Sequence, residues 1–236
     1  MAKVVCSGDG LNSVIAIADF VKICKRDQET VNECVRSSIE ELRPHLLRGI
    51  PEIRVPSIDP YVVDELKPVE GNLNVLFKNV RVTGAGNFQM KRLDVDIESR
   101  RINTTITVPA LHFDGYYSVD ALVLSVPIKG SGKFAANLTE CEATAILKYE
   151  VEDRNGKDYA KYVSCDLLLR VGDYHITMEG ITGIGDLAER MINENKRELL
   201  HFVLPYLQKT VGQSIVLEAA NRIASTATYD EFFPAP

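Results

Sequence analysis

Hydrolytic chemistry needs a nucleophile on a strained turn with a base in hydrogen-bond reach, and no G-x-S-x-G occurs in this chain. The glycine clusters Gly84-Ala85-Gly86 and Gly180-x-x-Gly183-x-Gly185 lack the partner residues that follow a dinucleotide or phosphate loop, so they read as turns and bulges. His112 and His175 fall in runs of strand period, where histidines suggest metal or acid–base work. Neither has a second ligand at recognisable spacing, and both read as satisfied or solvent-facing. We therefore assign no catalytic residue, no metal and no cofactor, and the chain reads as a non-enzyme.

Three polar features remain. Tyr149 lies on the apolar side of an alternating run, and an inward phenol needs a partner: a ligand ester, acid or epoxide, or a backbone carbonyl. Asn103-Thr104-Thr105 and Asn137-Leu138-Thr139 are glycosylation acceptors at Asn103 and Asn137 if the chain enters the secretory pathway, and chance matches otherwise. The cysteines are five; without Cys6, the remaining four pair in three ways. Cys24 and Cys34 flank a polar turn and the first turns of a helix, so their side chains can meet. Closing that loop contributes on the order of 2 to 3 kcal/mol; two reduced thiols are the alternative.

Cys141 and Cys165 sit on the two arms of a long hairpin. Matching the apolar faces around a three-residue loop puts Cys165 opposite Ala145 and Cys141 opposite Leu169. The two sulfurs are then offset by roughly 13 Å along the strand, beyond the ~7 Å between alpha carbons that a disulfide tolerates. Two inward reduced thiols and one disulfide in total are expected.

The elements that must position these residues follow from period. A helix is expected from about Glu29 to Arg48, capped by Asp27 or Thr30, with Val31, Cys34, Val35, Ile39, Leu42 and Leu46 on its inward stripe. Pro44 should bend it and Gly49 should end it. The proline-rich Ile50 to Pro60 segment should run over the surface as an apolar strap. From about Asn72 to Met178 the period is two, giving antiparallel strands with one apolar face each. From Asp186 to about Ser225 helical spacing returns with apolar residues on more than one side, and Pro205 predicts a bend that follows a concave neighbour. A bent sheet wrapped around such a helix leaves an apolar space unless bulky side chains fill it.

Composition bounds the partners. A net charge of -6 and 45% hydrophobic residues give a chain with a core and no basic footprint, which excludes nucleic acid. No run approaches the ~20 apolar residues of a membrane span, so stable membrane insertion is excluded too. Residues 1–18 hold pieces of a secretory leader (Lys3, and Ala16-Ile17-Ala18), but Ser7-Gly8-Asp9-Gly10 interrupts the apolar run. They are either an atypical leader or an altered first segment, with the mature chain starting near Asp19.

From Phe20 onward the chain resembles the insect takeout and juvenile-hormone-binding proteins. Cys24-Lys25-Arg26, Asn32-Glu33-Cys34-Val35, Leu42-Arg43-Pro44, Gly49-Ile50-Pro51-Glu52 and Asp59-Pro60 look like the takeout amino terminus. Asn79-Val80-Arg81-Val82, Gly115-Tyr116-Tyr117, Gly130-Ser131-Gly132, Asn193-Glu194-Asn195 and Tyr229-Asp230-Glu231-Phe232-Phe233-Pro234 continue the likeness to the end. The resemblance implies an α+β fold for residues 19–236: one domain in which a long helix is wrapped by a highly curved antiparallel β-sheet, like one half of the larger lipid-transfer proteins. It also implies secretion, one amino-terminal disulfide and, with Cys141 and Cys165 unpaired, a place nearer takeout than the hormone-binding branch.

The expected partner is a small elongated hydrophobic ligand, such as a juvenile-hormone-like terpenoid or a fatty-acyl lipid, held in an internal tunnel by apolar burial. The sequence names no receptor or delivery partner. Candidate lining residues are Val75, Phe77, Val95, Ile106, Val108, Phe113, Leu124, Val126, Phe134, Leu147, Tyr149, Val163, Leu167, Leu200, Val203 and Leu207. The rivals are an interaction protein with a filled tunnel and, more remotely, a lipid-ester hydrolase.

Overall fold

A computed structural model describes residues 21–67, 74–123, 126–181 and 185–236, so the proposed leader lies outside the described residues. Helix α1 (Val31–Arg48) is followed by a 3-10 turn at Pro51–Ile53 and seven strands, with a second 3-10 turn at Ala85–Asn87 between the second and third of them. These are β1 (Tyr61–Leu66), β2 (Asn74–Thr83), β3 (Gln89–Asp96), β4 (Arg101–Val123), β5 (Val126–Arg154), β6 (Lys157–Arg170) and β7 (Asp173–Met178). Helices α2 (Gly185–Glu194) and α3 (Lys196–Thr210), a π-helical stretch Val211–Leu217, α4 (Glu218–Ala224) and the short α5 (Tyr229–Phe232) complete the chain. The sheet is antiparallel, in the order β1-β2-β4-β5-β6, with β3 also on β4 and β7 also on β5.

Two very long strands, β4 and β5, form the spine and change neighbours halfway along. β3 pairs with residues 101–107 of β4, and β2 with residues 112–120. β6 pairs with residues 142–154 of β5, and β7 with residues 134–139. At the changeover the inward face steps by three residues instead of two. Val108 pairs with Cys141 and Leu111 with Leu138, and all four belong to one apolar cluster with Phe88. Between them Glu140 takes a positive φ of 53°, the local bend that breaks the alternation. The sheet therefore has two halves, each with its own inward face.

The hairpin register differs from the expectation. Cys165 pairs with Leu147 and Leu169 with Ala143, because two details shift the arms. The turn is two residues long, with Asn155 at φ 58° and Gly156 at φ 79°, the Asn-Gly signature of a type I′ hairpin. In addition, Lys148 pairs with Ser164 but Tyr149 with Tyr162, leaving Val163 as the extra residue of a β-bulge. The conclusion about the thiols holds: Cys141 and Cys165 are free, and Cys24–Cys34 is the disulfide, with alpha carbons 5.6 Å apart.

The helices differ in detail from their sequence reading. The first starts at Val31 rather than Glu29, with Thr30 at the cap position and the Asp27 carboxylate accepting from the Glu29 amide and the Thr30 hydroxyl. The last is interrupted at Asn195 and loosens into a π stretch after Thr210, while Pro205 stays inside α3. Gly212, in that stretch, is buried so closely that a Cβ there would sit 3.2 Å from the Cys165 carbonyl and the Leu167 Cβ. Absence of a side chain lets the helix backbone rest on β6.

Open strand edges are covered by amide side chains rather than by more strands. Asn32 accepts from the Val95 amide while Gln28 donates to the Val95 carbonyl on β3. Asn193 brackets Ile176 on β7, and Asn221 brackets Tyr162 on β6, each using both ends of its amide. Each carboxamide thus replaces the backbone partner a neighbouring strand would supply.

Candidate ligand-binding site

A cavity of about 250 Å³ lies in the half of the sheet that carries β3 and β6. Its floor is Leu93, Ile102, Thr104, Leu147, Ala160 and Tyr162 from the strands. One wall is the α1 stripe, Val35, Ile39 and Leu42 with Ser38, and the other is Ala220, Ile223 and Ala224 at the end of the long helix. Two segments far apart in the chain close the end: Val21, Lys22 and Cys24 of the amino-terminal arm meet Phe232 and Phe233 of the carboxyl-terminal tail.

Local chemistry holds that closure. The disulfide ties the arm to α1. The Cys24 amide donates to the Phe232 carbonyl at 3.0 Å and the Arg26 amide to the Pro234 carbonyl at 2.9 Å. α5 opens with a capping box between Thr228 and Glu231, which satisfies two orphan donors. Arg26 pairs with Asp230 at 2.8 Å and lies over the Tyr229 ring.

Beside the cavity stands an aromatic group. The Tyr149 and Tyr229 hydroxyls are 3.3 Å apart and buried, and the Tyr149 and Tyr162 rings are 5.7 Å apart. Burial, then the Tyr229 hydrogen bond, raises the Tyr149 pKa well above the ordinary tyrosine range. Burial pushes the Tyr162 hydroxyl up to about 12. The Tyr162 hydroxyl has no hydrogen-bond partner among the described residues.

Of the sixteen candidate lining residues, Leu147 is on the cavity wall. Tyr149 packs next to it in a cluster with Ala160, Ala224 and Tyr229. Val95 is buried under α1 with Val31 and Leu93, and Ile106 and Val108 sit at the seam between the halves. Val75, Phe77, Phe113, Phe134 and Leu200 gather instead in the opposite half, around Val80, Tyr117 and Tyr174. Leu167 faces Gly212 of the helix, and Val203 and Leu207 are half-buried on α3. Val163, expected inward, is 44% exposed, because the bulge turns it out. Leu124 lies outside the described residues, and the side chain of Val126 outside the described side chains.

Sequence reasoning missed Tyr162, which the same bulge brings onto the inward face, and the α1 stripe, which reads as plain core until the sheet is seen to stand off from it. The Tyr229 to Phe233 tail was visible as a motif but not as a wall. Of the glycosylation candidates, Asn137 is exposed, its Oδ1 2.7 Å from His112 Nδ1. The Asn103 Oδ1 is buried without a partner. No group of three or more His, Cys, Asp or Glu that could hold a metal occurs among the described residues, and no helix there is long and apolar enough to cross a membrane.

The model of the haemolymph juvenile hormone binding protein (JHBP) family matches residues 3–234. A Schistocerca gregaria protein named for beta-carotene binding is 26% identical over 209 residues, 85% of this chain and 82% of its own length. The crystal structure of Takeout 1 from Epiphyas postvittana superposes with a TM-score of 0.77 over 91% of this chain and 99% of that one, at 16% identity. Takeout 1 shares the curled antiparallel sheet and long helix, the fold that the resemblance implied.

Proposed function

The chain belongs to the haemolymph juvenile hormone binding protein family, and from that premise we propose that it is an extracellular carrier holding one small hydrophobic molecule in the cavity between β3–β6, α1 and α4. The observation that carries the reading is the cavity itself, about 250 Å³ walled mainly by aliphatic and aromatic side chains. That size is just below the usual range for small-molecule pockets, roughly 300 to 1,000 Å³. A slender chain burying about ten methylenes would gain on the order of 8 kcal/mol, from which the costs of immobilisation are subtracted. The reading makes the protein a binder rather than an enzyme.

Secretion is part of the reading. A disulfide at the amino terminus fits an oxidising compartment, and family membership points the same way. Asn137 is then the acceptor that carries a glycan, because its side chain is exposed on the outer face of β5 and that of Asn103 is not.

The filled-tunnel alternative has one observation in its favour: Phe77 and Phe134 meet edge to face, with ring centroids 4.8 Å apart, in the opposite half. It fits that half and leaves the cavity unexplained. Native mass spectrometry of the secreted protein, with identification of any molecule released on denaturation, tests the carrier reading. A stoichiometric apolar adduct is expected. Bare protein that also fails to bind a fluorescent apolar probe would sink it.

A further inference from the structure

We propose that Tyr162 is the polar anchor of the cavity, donating its hydroxyl hydrogen to an oxygen of the ligand, so that the site selects a neutral molecule bearing an acceptor oxygen over a bare hydrocarbon or a carboxylate. The inference rests on the carrier reading and deepens it.

Tyr149, the tyrosine singled out by sequence, has its hydroxyl engaged by Tyr229 at 3.3 Å. Tyr174 and Tyr117, the buried tyrosines of the opposite half, donate to the Ile192 and Glu179 carbonyls at 2.6 and 2.7 Å. Tyr162 alone in this set lines the cavity and has no partner for its hydroxyl among the described residues. The Tyr162 hydroxyl is half-buried on a mostly apolar wall, and a ligand oxygen that accepts from it adds a hydrogen bond that a hydrocarbon cannot make. Its position is fixed from behind: Asn221 holds both the amide and the carbonyl of Tyr162, at 2.8 and 2.9 Å.

Charge decides which oxygen is accepted. A tyrosine phenol is protonated at neutral pH, and burial raises its pKa further, so it acts as a donor. The one charged side chain lining the cavity is Lys22, on the arm against α1. It is half exposed and already 3.2 Å from the Ser37 hydroxyl and 4.0 Å from a Glu41 carboxylate oxygen. A carboxylate beside Tyr162 would be buried without a counter-charge, whereas an ester, ketone, aldehyde or ether oxygen needs just the one donor.

The experiment displaces a bound fluorescent apolar probe, 1-naphthylphenylamine, with methyl decanoate, with tridecane of the same heavy-atom count, and with decanoate. Wild-type protein should favour the ester over both competitors by about tenfold or more. Tyr162→Phe should lose that preference while keeping its tridecane affinity, which also reports that the variant is folded. Tyr149→Phe should keep the ester preference. An ester preference surviving in Tyr162→Phe, or lost equally in Tyr149→Phe, overturns the anchor and leaves the carrier standing. Wild-type protein that takes up neither probe nor competitor overturns both.

Discussion

The half of the sheet carrying β1, β2 and β7 and the half carrying β3 and β6 share the spine strands β4 and β5, yet among the described residues the first, the filled half, packs large side chains together and the second, the hollow half, carries the cavity. In the filled half the inward positions are large: Phe77, Phe113, Tyr117, Phe134 and Tyr174 close on Ile192 of α2. In the hollow half the facing positions are small, with Ala145 and Ala160 on the strands and Ala220 and Ala224 on α4. The backbone framework is similar, so the difference teaches that side-chain volume, rather than topology, decides where a curled sheet keeps a cavity.

That contrast breaks most visibly in the filled half. Phe134→Ala should cost about 3 to 5 kcal/mol by urea denaturation and leave apolar-probe affinity unchanged. A large change in affinity with it would mean that the halves are coupled through the seam at Val108 and Cys141. Removing the disulfide with Cys24→Ser and Cys34→Ser should cost about 2 to 3 kcal/mol and, because Cys24 lines the cavity, speed probe dissociation in stopped flow.

The amide clamps give a matched pair. Asn193→Ala in the filled half and Asn221→Ala in the hollow half each remove two hydrogen bonds to one strand residue, about 1 to 2 kcal/mol each. Both should lower the urea midpoint by similar amounts, but just Asn221→Ala should weaken ligand binding, since Tyr162 is the residue it holds.

Alkaline pH probes both halves at once. Tyr162 and Tyr174 are raised to about 12 by burial, above the roughly 10 of an unfolded tyrosine. The folded state therefore keeps its protons after the unfolded state has lost them. Stability is full below pH 10 and falls as pH rises through the 10 to 12 window, by about 1 kcal/mol per tyrosine or less at pH 11. Tyr162→Phe and Tyr174→Phe should each flatten that fall in urea titrations at pH 9 and 11. The smallest effect is expected from Asn137→Gln: loss of a mass increment on the secreted protein, with stability within about 0.5 kcal/mol.

Much of this was legible in the residues. The α1 stripe, the alternating strands, the bridge between Cys24 and Cys34 and the separation of Cys141 from Cys165 all follow from period and spacing. The site was less so. Inward-facing residues were readable strand by strand, but Phe77 and Leu147 look alike in sequence while one fills a core and the other walls a cavity. Val163 and Tyr162 were exchanged because a single bulge, with no strong local signal of its own, reverses the alternation that assigns faces.

Local rules, namely strand and helix period and loop closure between neighbouring cysteines, act over a few residues, and so the sequence alone determined the elements and brought Cys24 and Cys34 within reach, while the curled-sheet class came through the resemblance of its motifs to the takeout family. Which apolar residues meet across the fold depends on volumes summed from segments far apart in the chain, such as Ala160 with Ala224 or Cys24 with Phe232. Only the tertiary structure decided that the hollow lies where the segment around Cys24 meets the Phe232-Phe233 tail, and that Tyr162 rather than Tyr149 lines it, because packing is a property of facing surfaces rather than of any one strand.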